Sequence, residues 1–274
     1  MTDVPLPDLP DLEAVMDAAW PAPDRKESGG WIFRAADGVT QRANSIWPRS
    51  CPAGSAQEQL SLLREARAWY RSRRLPVIFQ VFDHARSAAL NDFLDTEGFT
   101  RQSETLILVR SAGPEPSGPQ PSGPEPSGPD PAADIELLDW PTDEWLGLWG
   151  GVDGRGGDSE RSVAAGILSG CPAVYAMVRD DDGVPAAVGR LALAGGAGGI
   201  YCMSTRPDRR RRGYASAVLA ALLAEGNSLG LGSYWLLVTA ANRAAQEFYA
   251  RAGFGAAARY FYRQERLRRP PTGC

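Results

Sequence analysis

Histidine and paired cysteines are scarce in this chain. His84 is the only histidine among 274 residues, and the four cysteines form no CxxC pair: Cys51, Cys171, Cys202 and Cys274. Zinc sites need clustered thiolate or imidazole ligands, and Ser-His-Asp or Cys-His catalysis needs a histidine base. The sequence therefore predicts no metal site and no histidine-activated nucleophile. The cysteines are expected to be reduced thiols in a cytoplasmic protein.

Long apolar runs and an excess of positive charge are also missing. No apolar run reaches the ~18 residues that a membrane-spanning helix needs, and the first residues, MTDVPLPDLPDLEAV, contain no apolar signal core. The net charge is −4 at pH 7, so general affinity for nucleic acid is not expected. We therefore expect small-molecule partners and neither nucleic acid nor a membrane, while the oligomeric state stays open.

Proline, glycine and serine dominate one internal segment. Residues 111–133 repeat Ser-Gly-Pro, a polar residue and Pro, without a side chain large enough to pack in a core. Such a composition is typical of an extended, semi-rigid linker. The linker divides the chain into residues 1–110 and 134–274, and each part is long enough to form its own core.

The C-terminal part shows a regular alternation of strand and helix patterns. Apolar spacing and turn residues predict the order β-α-α-β-β-β-α-β-α-β, which is typical of a mixed α/β sheet. Its predicted segments are strands at 135–139, 173–180, 184–193, 199–205, 234–239 and 259–263, and helices at 141–150, 158–169, 215–228 and 242–252. Asn242 is expected to cap the last helix, and Gly253 to end it.

An arginine-rich turn lies between one of these strands and the helix after it. Residues 203–216 read MSTRPDRRRRGYAS, and five of the seven residues at 206–212 are arginine. Free N–H groups and the dipole at a helix start attract anions, and arginines add charge-assisted hydrogen bonds. The turn therefore predicts a phosphate or pyrophosphate site.

Two motifs in the C-terminal part resemble the GNAT superfamily of acyl-CoA N-acyltransferases. Residues 210–215, RRRGYA, resemble the family's Arg/Gln-x-x-Gly-x-Gly/Ala pyrophosphate motif between a strand and a helix. Asn242, the pair 248–249 and the pair 253–254 resemble the second family signature in the correct element order. The resemblance covers residues 135–263. It implies a GNAT fold and acetyl transfer from acetyl-CoA to a primary amine.

The resemblance also implies how acetyl-CoA is held. The pyrophosphate is expected at Arg210, Arg211, Arg212, Gly213, Tyr214, Ala215 and Ser216. The pantetheine arm is expected along the strand edge at Met203, Ser204 and Thr205, with contacts from Asn242 and Tyr249. Gly213 allows close approach of the backbone because it has no Cβ.

Two of these residues are predicted to act in the chemical step. The N–H of Met203 would stabilise the oxyanion, and Tyr249 would protonate the leaving thiolate. An unperturbed phenol has a pKa near ~10, close to that of an alkyl thiol, which makes the proton transfer nearly balanced. The amine is expected to attack directly in a ternary complex. Cys202 is a possible nucleophile in a ping-pong scheme, but the sequence indicates no base to activate it, so a covalent intermediate is not expected.

The acceptor side is less defined by the sequence. Candidates for the base that deprotonates the acceptor amine lie in the early helical region, and each of them is also compatible with a solvated loop position: Asp153, Asp158 and Glu160. Three aromatic residues fit either an acceptor pocket or the core: Trp145, Trp149 and Tyr201. Two other functions stay open, a non-catalytic acyl-CoA-binding or regulatory module and a protein lysine acetyltransferase.

The N-terminal part resembles a second, degenerate copy, as in tandem GNAT proteins. Residues 90–99, LNDFLDTEGF, parallel residues 245–254, AQEFYARAGF, and the preceding strand and helix patterns match in order. The segment before its helix, CPAGSAQEQ, has no RxxGxG, and Leu94 stands where Tyr249 would be. We therefore predict that residues 1–110 do not bind CoA, that 111–133 is a linker and that 134–274 is catalytic.

Overall fold

A computed structural model describes residues 11–50, 56–113, 135–154 and 157–266. The described residues fall into two compact units. The first holds those within Met1–Pro21, Ile107–Val238 and Asn242–Ala257, and the second holds those within Ala22–Leu106, Thr239–Ala241 and Ala258–Cys274. Most of the predicted linker, together with Cys51 and Cys274, lies outside the described residues.

The helices and strands of the described residues are numbered along the chain. The α-helices are α1 (Leu12–Ala19), α2 (Ala56–Ser72), α3 (Ala88–Thr96), α4 (Asp143–Asp153), α5 (Asp158–Leu168), α6 (Tyr214–Ser228) and α7 (Arg243–Arg251). The strands are β1 (Asp24–Ser28), β2 (Trp31–Ala35), β3 (Trp47–Pro48), β4 (Ile78–Phe82), β5 (Phe99–Ser111), β6 (Ile135–Leu138), β7 (Ala173–Arg179), β8 (Pro185–Ala194), β9 (Ala197–Thr205), β10 (Ser233–Thr239) and β11 (Gly255–Glu265). Short 3₁₀ helices cover Arg42–Asn44, Ala85–Ser87 and Pro207–Arg209.

The first unit is built on a mixed sheet. Its strands follow the order β5–β10–β9–β8–β7–β6, with β5 represented by residues 107–111. β6 to β9 pair antiparallel, whereas β9 and β10 pair parallel because α6 crosses over between them. The predicted α/β fold and the predicted element order after residue 134 are confirmed. The strand bounds shift by a few residues, most for β11, which extends from Gly255 to Glu265.

Helices cover both faces of this sheet. A Cβ added at Gly189 in β8 would meet Val218 and Leu222 of α6, whereas the next residue, Arg190, bonds to the last residue of α1. Successive strand residues point to opposite faces, so α6 and α1 pack on opposite sides. α4 lies on the side of α1, since Trp145 packs edge-on against Tyr175, the register partner of Arg190.

Arg190 is a fully buried cation that joins three elements. Its guanidinium donates to the carbonyl of Ala19 at 3.0 Å and to that of Leu168 at 2.7 Å, the last residues of α1 and α5. The C-terminal end of a helix carries roughly half a negative charge. Two such ends therefore stabilise the buried charge, and both helices are fixed to β8.

The second unit has its own core. β1, β2 and β3 form an antiparallel sheet, and β11 lies between β4 and β5. α2, β4 and α3 follow in the predicted order, and Gly98 ends the last of them with φ +81°, as Gly253 follows α7 with φ +82°. β5 and β11 each contribute residues to both units. The division into domains 1–110 and 134–274 and the origin of the first part by duplication stay predictions.

Within the ranges that the structure describes, no helix combines the length and the apolar character needed to cross a membrane.

Candidate active site

The predicted pantetheine edge lies where two parallel strands separate. β9 and β10 pair from Ala197↔Ser233 to Ile200↔Leu236. Both strands continue beyond that pair, β9 to Thr205 and β10 to Thr239. In the described register, the edge of β9 after Ile200 therefore has no β10 residue opposite it. An extended ligand arm can hydrogen-bond to such an edge.

A β-bulge interrupts β9 at this point. The register passes from Val188↔Ser204 to Arg190↔Tyr201, so that Gly189 alone opposes Cys202 and Met203. Cys202 has φ +55°, which is unfavourable for a residue with a Cβ. A bulge bends its strand and removes a residue from the ladder. The predicted oxyanion donor, the N–H of Met203, therefore lies at an irregularity that changes where backbone groups point.

Gly189 makes room for the bulge. A Cβ there would lie 2.5 Å from Met203 Sδ and 2.7 Å from Val218 Cγ1. The Met203 side chain thus packs partly beneath α6, and its main chain lies at the bulge. The neighbouring Ser204 is buried, and Thr205 continues the pairing with Ala187.

The predicted pyrophosphate turn has the geometry of an anion site. Gly213 is the N-cap of α6 with φ +84°, and Arg211 also lies in the left-handed region with φ +63°. In the described part of the chain, the N–H groups of residues 213–216 donate to no protein acceptor. These are the free donors of a helix start, where the macrodipole also favours negative charge. Tyr214 points its side chain into the core, so it can contribute only its main chain.

The arginines of the turn divide into two groups. Arg210, Arg211 and Arg212 are exposed, and Arg210 Nε contacts the carbonyl of Thr205 at 3.4 Å. Arg206 and Arg209 instead bind carboxylates of the protein. Three arginines, together with the exposed Ser216, therefore remain for an anionic ligand.

The second signature is carried by α7. Asn242 caps this helix, and its Oδ1 accepts from the N–H of Ala245 at 3.1 Å. Tyr249 is buried, with the rings of Phe248 and Phe254 edge-on at 5.0 and 6.0 Å. Burial raises the pKa of Tyr249 to about 12. The predicted balance between phenol and thiol is therefore wrong for the unliganded protein, because the buried phenol is a weaker acid than the unperturbed one.

A groove between α6 and α7 was not predicted from the sequence. Its volume is about 160 Å³, and it is lined by Ser216, Leu219, Ala220, Leu223, Phe248, Arg251 and Ala252. It begins beside the free N–H groups of the α6 start. The sequence signal for it was the pair Ser216 and Ala220, small residues one turn apart on the exposed side of α6.

The aromatic residues predicted for the acceptor side are buried, and the ring centroids of Trp145 and Trp149 lie 6.2 Å apart. Trp145 is fully buried and donates from Nε1 to the carbonyl of Ala176, so it belongs to the core. Trp149 and Tyr201 are also buried, and Tyr201 accepts a hydrogen bond from Trp235 Nε1 at 3.1 Å. Asp158 is exposed and pairs with Arg161 of its own helix.

The base remains unassigned. Glu160 is exposed, and the side chain of Asp153 lies outside the described residues. Among the residues that the structure describes, no group of three or more His, Cys, Asp or Glu side chains is arranged to hold a metal.

The chain matches a known protein family and known relatives. Residues 7–263 match the family model described as "Probable histone acetyltransferase Rv0428c C-terminal". The uncharacterized N-acetyltransferase YobR of Bacillus subtilis (strain 168) is 26% identical over 263 residues, which are 94% of this chain and 99% of the relative.

Solved structures show the same fold. A GCN5-related N-acetyltransferase from Kribbella flavida aligns with a TM-score of 0.65 at 17% identity, covering 95% of this chain and 94% of that one. A tandem GNAT protein from the clavulanic acid biosynthesis pathway aligns with a TM-score of 0.57 at 12% identity, covering 80% of this chain and 74% of that one.

Proposed function

Because the chain belongs to the GNAT acetyltransferases, in the family whose model is described as "Probable histone acetyltransferase Rv0428c C-terminal", we propose that it transfers an acetyl group from acetyl-CoA to a primary amine. Transfer would be direct, within a ternary complex of protein, acetyl-CoA and amine. The acceptor is proposed to be a small-molecule amine. The observation that carries the proposal is the meeting of three features in one unit: the separated β9 edge, the bulge at Cys202–Met203 and the free N–H groups of residues 213–216.

The donor would bind with its phosphates at the α6 start. The N–H groups of residues 213–216 and the exposed guanidinium groups of Arg210, Arg211 and Arg212 provide donors for the pyrophosphate oxygens. The pantetheine arm would follow the edge of β9 from Thr205 to Met203. The groove between α6 and α7 is lined by apolar side chains together with Ser216 and one cation, Arg251, which suits the adenosine end with its phosphate.

The chemical step would use main-chain and phenol donors. The neutral amine attacks the thioester carbonyl, and the oxyanion accepts from the N–H of Met203. When the C–S bond breaks, the electron pair goes to the sulfur, which accepts a hydrogen bond and finally a proton from Tyr249 or water. The acceptor ammonium loses one proton to water before it attacks as the neutral amine, and the nitrogen loses a second proton to water after the C–N bond has formed. Because the free phenol has a pKa of about 12, we propose that Tyr249 acts mainly as a hydrogen-bond donor to the developing thiolate.

A panel of amines tests the activity. Release of the CoA thiol is followed with the full chain and acetyl-CoA while each amine is varied, and saturable, amine-dependent release is expected for at least one class. If the chain binds CoA but none of the amines causes release of the thiol, the chain is a binding or regulatory module, and the catalytic proposal fails.

A lysine side chain of a protein is the second candidate acceptor. It is favoured by the description of the matching family as a probable histone acetyltransferase. Histone tail peptides belong in the same panel as small amines. Turnover on peptides at lower KM than on any small amine would replace the small-molecule proposal.

The remaining expectations stay part of the proposal. They are a cytoplasmic location, no metal requirement, and an N-terminal copy at residues 1–110 that lacks the pyrophosphate motif and binds no CoA. The predicted linker at 111–133 would join this copy to the catalytic part at 134–274.

A further inference from the structure

Asp180 is a buried carboxylate among arginines at the start of the turn between β7 and β8. Its side chain is only 3% exposed. One carboxylate oxygen, Oδ2, accepts from Arg206 Nη2 at 2.5 Å and from Arg209 Nε at 2.9 Å. The other accepts from the N–H groups of Asp182 and Val184 at 3.2 and 3.0 Å. Both oxygens are therefore engaged by donors from two different loops.

The two arginines are fixed by further contacts. Arg206 donates to the carbonyl of Pro185 at 3.1 Å, and its backbone N–H donates to Ala186 at 2.9 Å. Arg206 and Arg209 also share Asp208, each at 2.8 Å. The segment after β9 is thus bound to the start of β8, and neither guanidinium is directed only to solvent.

The charge of Asp180 is stable. Burial by itself would raise the pKa of this carboxyl, but the N–H of Val184 and the guanidinium groups of Arg206 and Arg209 outweigh it and lower the pKa to about 2. The carboxylate is therefore ionised at any pH at which the protein would work.

We propose that Asp180 is a positioning residue for the acetyl-CoA phosphates, holding the segment 206–213 in the conformation that presents the N–H groups of residues 213–216. This inference rests on the proposed function. The segment contains Arg211, a residue with a Cβ, in the left-handed region at φ +63°, and such a backbone persists only when its surroundings fix it. Asp180 does so without touching the ligand, and it keeps two of the five arginines out of the phosphate site.

A positioning role for Asp180 and simple electrostatics predict opposite changes in CoA affinity when the charge of Asp180 is removed. Removing a negative charge near an anion site should tighten anion binding, since the local potential becomes more positive. Loss of the segment's conformation should weaken binding, because the N–H groups no longer converge on the phosphates. The direction of the change in affinity therefore decides between the two.

Calorimetric titration of the full chain with CoA measures that direction. Asp180→Asn is expected to raise the Kd for CoA at least tenfold, with thermal unfolding showing that the variant is folded at the assay temperature. Asp182→Asn is the matched control, because Asp182 is 79% exposed and only 3.6 Å from Arg209 Nη2. It changes the charge equally on the same turn and is expected to leave Kd within about twofold.

Arg209→Lys is the second variant, and it decides the question if Asp180→Asn does not fold. It keeps the positive charge but loses the Nε–H donor to Asp180, so weaker CoA binding would support positioning. Wild-type affinity in either folded variant, or tighter binding, would overturn the inference while the proposed function stands. No CoA binding by the wild-type chain would overturn both.

Discussion

Replacing Tyr249 with Phe removes one buried hydroxyl and keeps the ring between Phe248 and Phe254. Among the described residues, that hydroxyl makes no hydrogen bond in the unliganded protein. A hydroxyl without a protein partner contributes no hydrogen bond to the stability of the fold. The variant is therefore expected to unfold within a few degrees of the wild type.

The expected loss in rate follows from the buried phenol. With a pKa of about 12, Tyr249 is a weaker acid than an alkyl thiol, whose pKa lies close to that of an unperturbed phenol, about 10. Complete proton transfer before C–S cleavage is then unfavourable, and the hydroxyl acts as a donor to the developing charge. A hydrogen bond to a charged group contributes about 1.5–3 kcal/mol. At about 1.4 kcal/mol per factor of ten, Tyr249→Phe should lower kcat roughly 10- to 150-fold.

Steady-state release of the CoA thiol measures this loss. The KM for acetyl-CoA should change little, because the interaction strengthens only as the bond breaks. The pH profile of the wild type should show no alkaline fall from this phenol below about pH 11, since its pKa is about 12. A kcat within threefold of the wild type, in a folded variant, would refute the role and leave water as the donor.

Tyr234→Phe is the matched control for that experiment. The Tyr234 hydroxyl oxygen lies 2.9 Å from the Leu223 carbonyl oxygen and 2.7 Å from Asn227 Oδ1, and its O–H donates to one of these two acceptors. Its loss should cost stability, about 1 kcal/mol, and leave kcat unchanged. The two variants are therefore expected to show opposite patterns, one in rate and the other in stability.

Two further predictions concern stability. Gly189→Ala should lower the unfolding free energy by about 1–3 kcal/mol, because the new Cβ would lie 2.5 Å from Met203 Sδ. Gly166→Ala should instead raise the unfolding free energy by about 0.5–1 kcal/mol, because Gly166 lies on α5 with open space around its Cβ position. Urea unfolding checks both, and equal effects would contradict the packing of the bulge. Alkaline pH should destabilise the fold, because burial raises the pKa of Tyr249 to about 12, whereas the phenol of the unfolded chain ionises near pH ~10. The contribution of Tyr249 to the unfolding free energy is therefore complete below pH ~10. It is lost as the pH rises toward 12, at about 1.4 kcal/mol per pH unit. Burial also raises the pKa of Tyr70, Tyr175, Tyr234 and Tyr262, so the wild type is compared with Tyr249→Phe, and an equal loss of unfolding free energy from pH 10 to 12 in both proteins would contradict this burial.

Local patterns made the helices and strands of the first unit predictable. Apolar spacing, the cap at Asn242 and the glycine at 253 each act within a few residues, so the sequence shows them directly. The turn at residues 206–213 was predictable for the same reason, since its strand, glycine and helix start are contiguous; that it binds pyrophosphate stays a prediction.

Features that depend on register or on distant partners were not predictable. The bulge at Cys202 exists because Gly189 in the neighbouring strand opposes two residues, and no property of Cys202 itself indicates it. Arg206 and Arg209 look like the other arginines of their run until the turn that carries Asp180 is placed beside them. The pKa of Tyr249 likewise depends on the burial of its ring in the folded chain, which the spacing of the signature does not specify.

Binding of CoA at the start of α6 is the central claim, and titration calorimetry of Gly213→Glu tests it most directly. The new side chain would occupy the phosphate position with a negative charge, so no CoA binding is expected up to millimolar concentration. Gly230→Glu is the control, because Gly230 has φ +75°, similar to the +84° of Gly213, and open space around its Cβ position. The account predicts wild-type affinity for Gly230→Glu and none for Gly213→Glu. Wild-type affinity for CoA in a folded Gly213→Glu variant would contradict it.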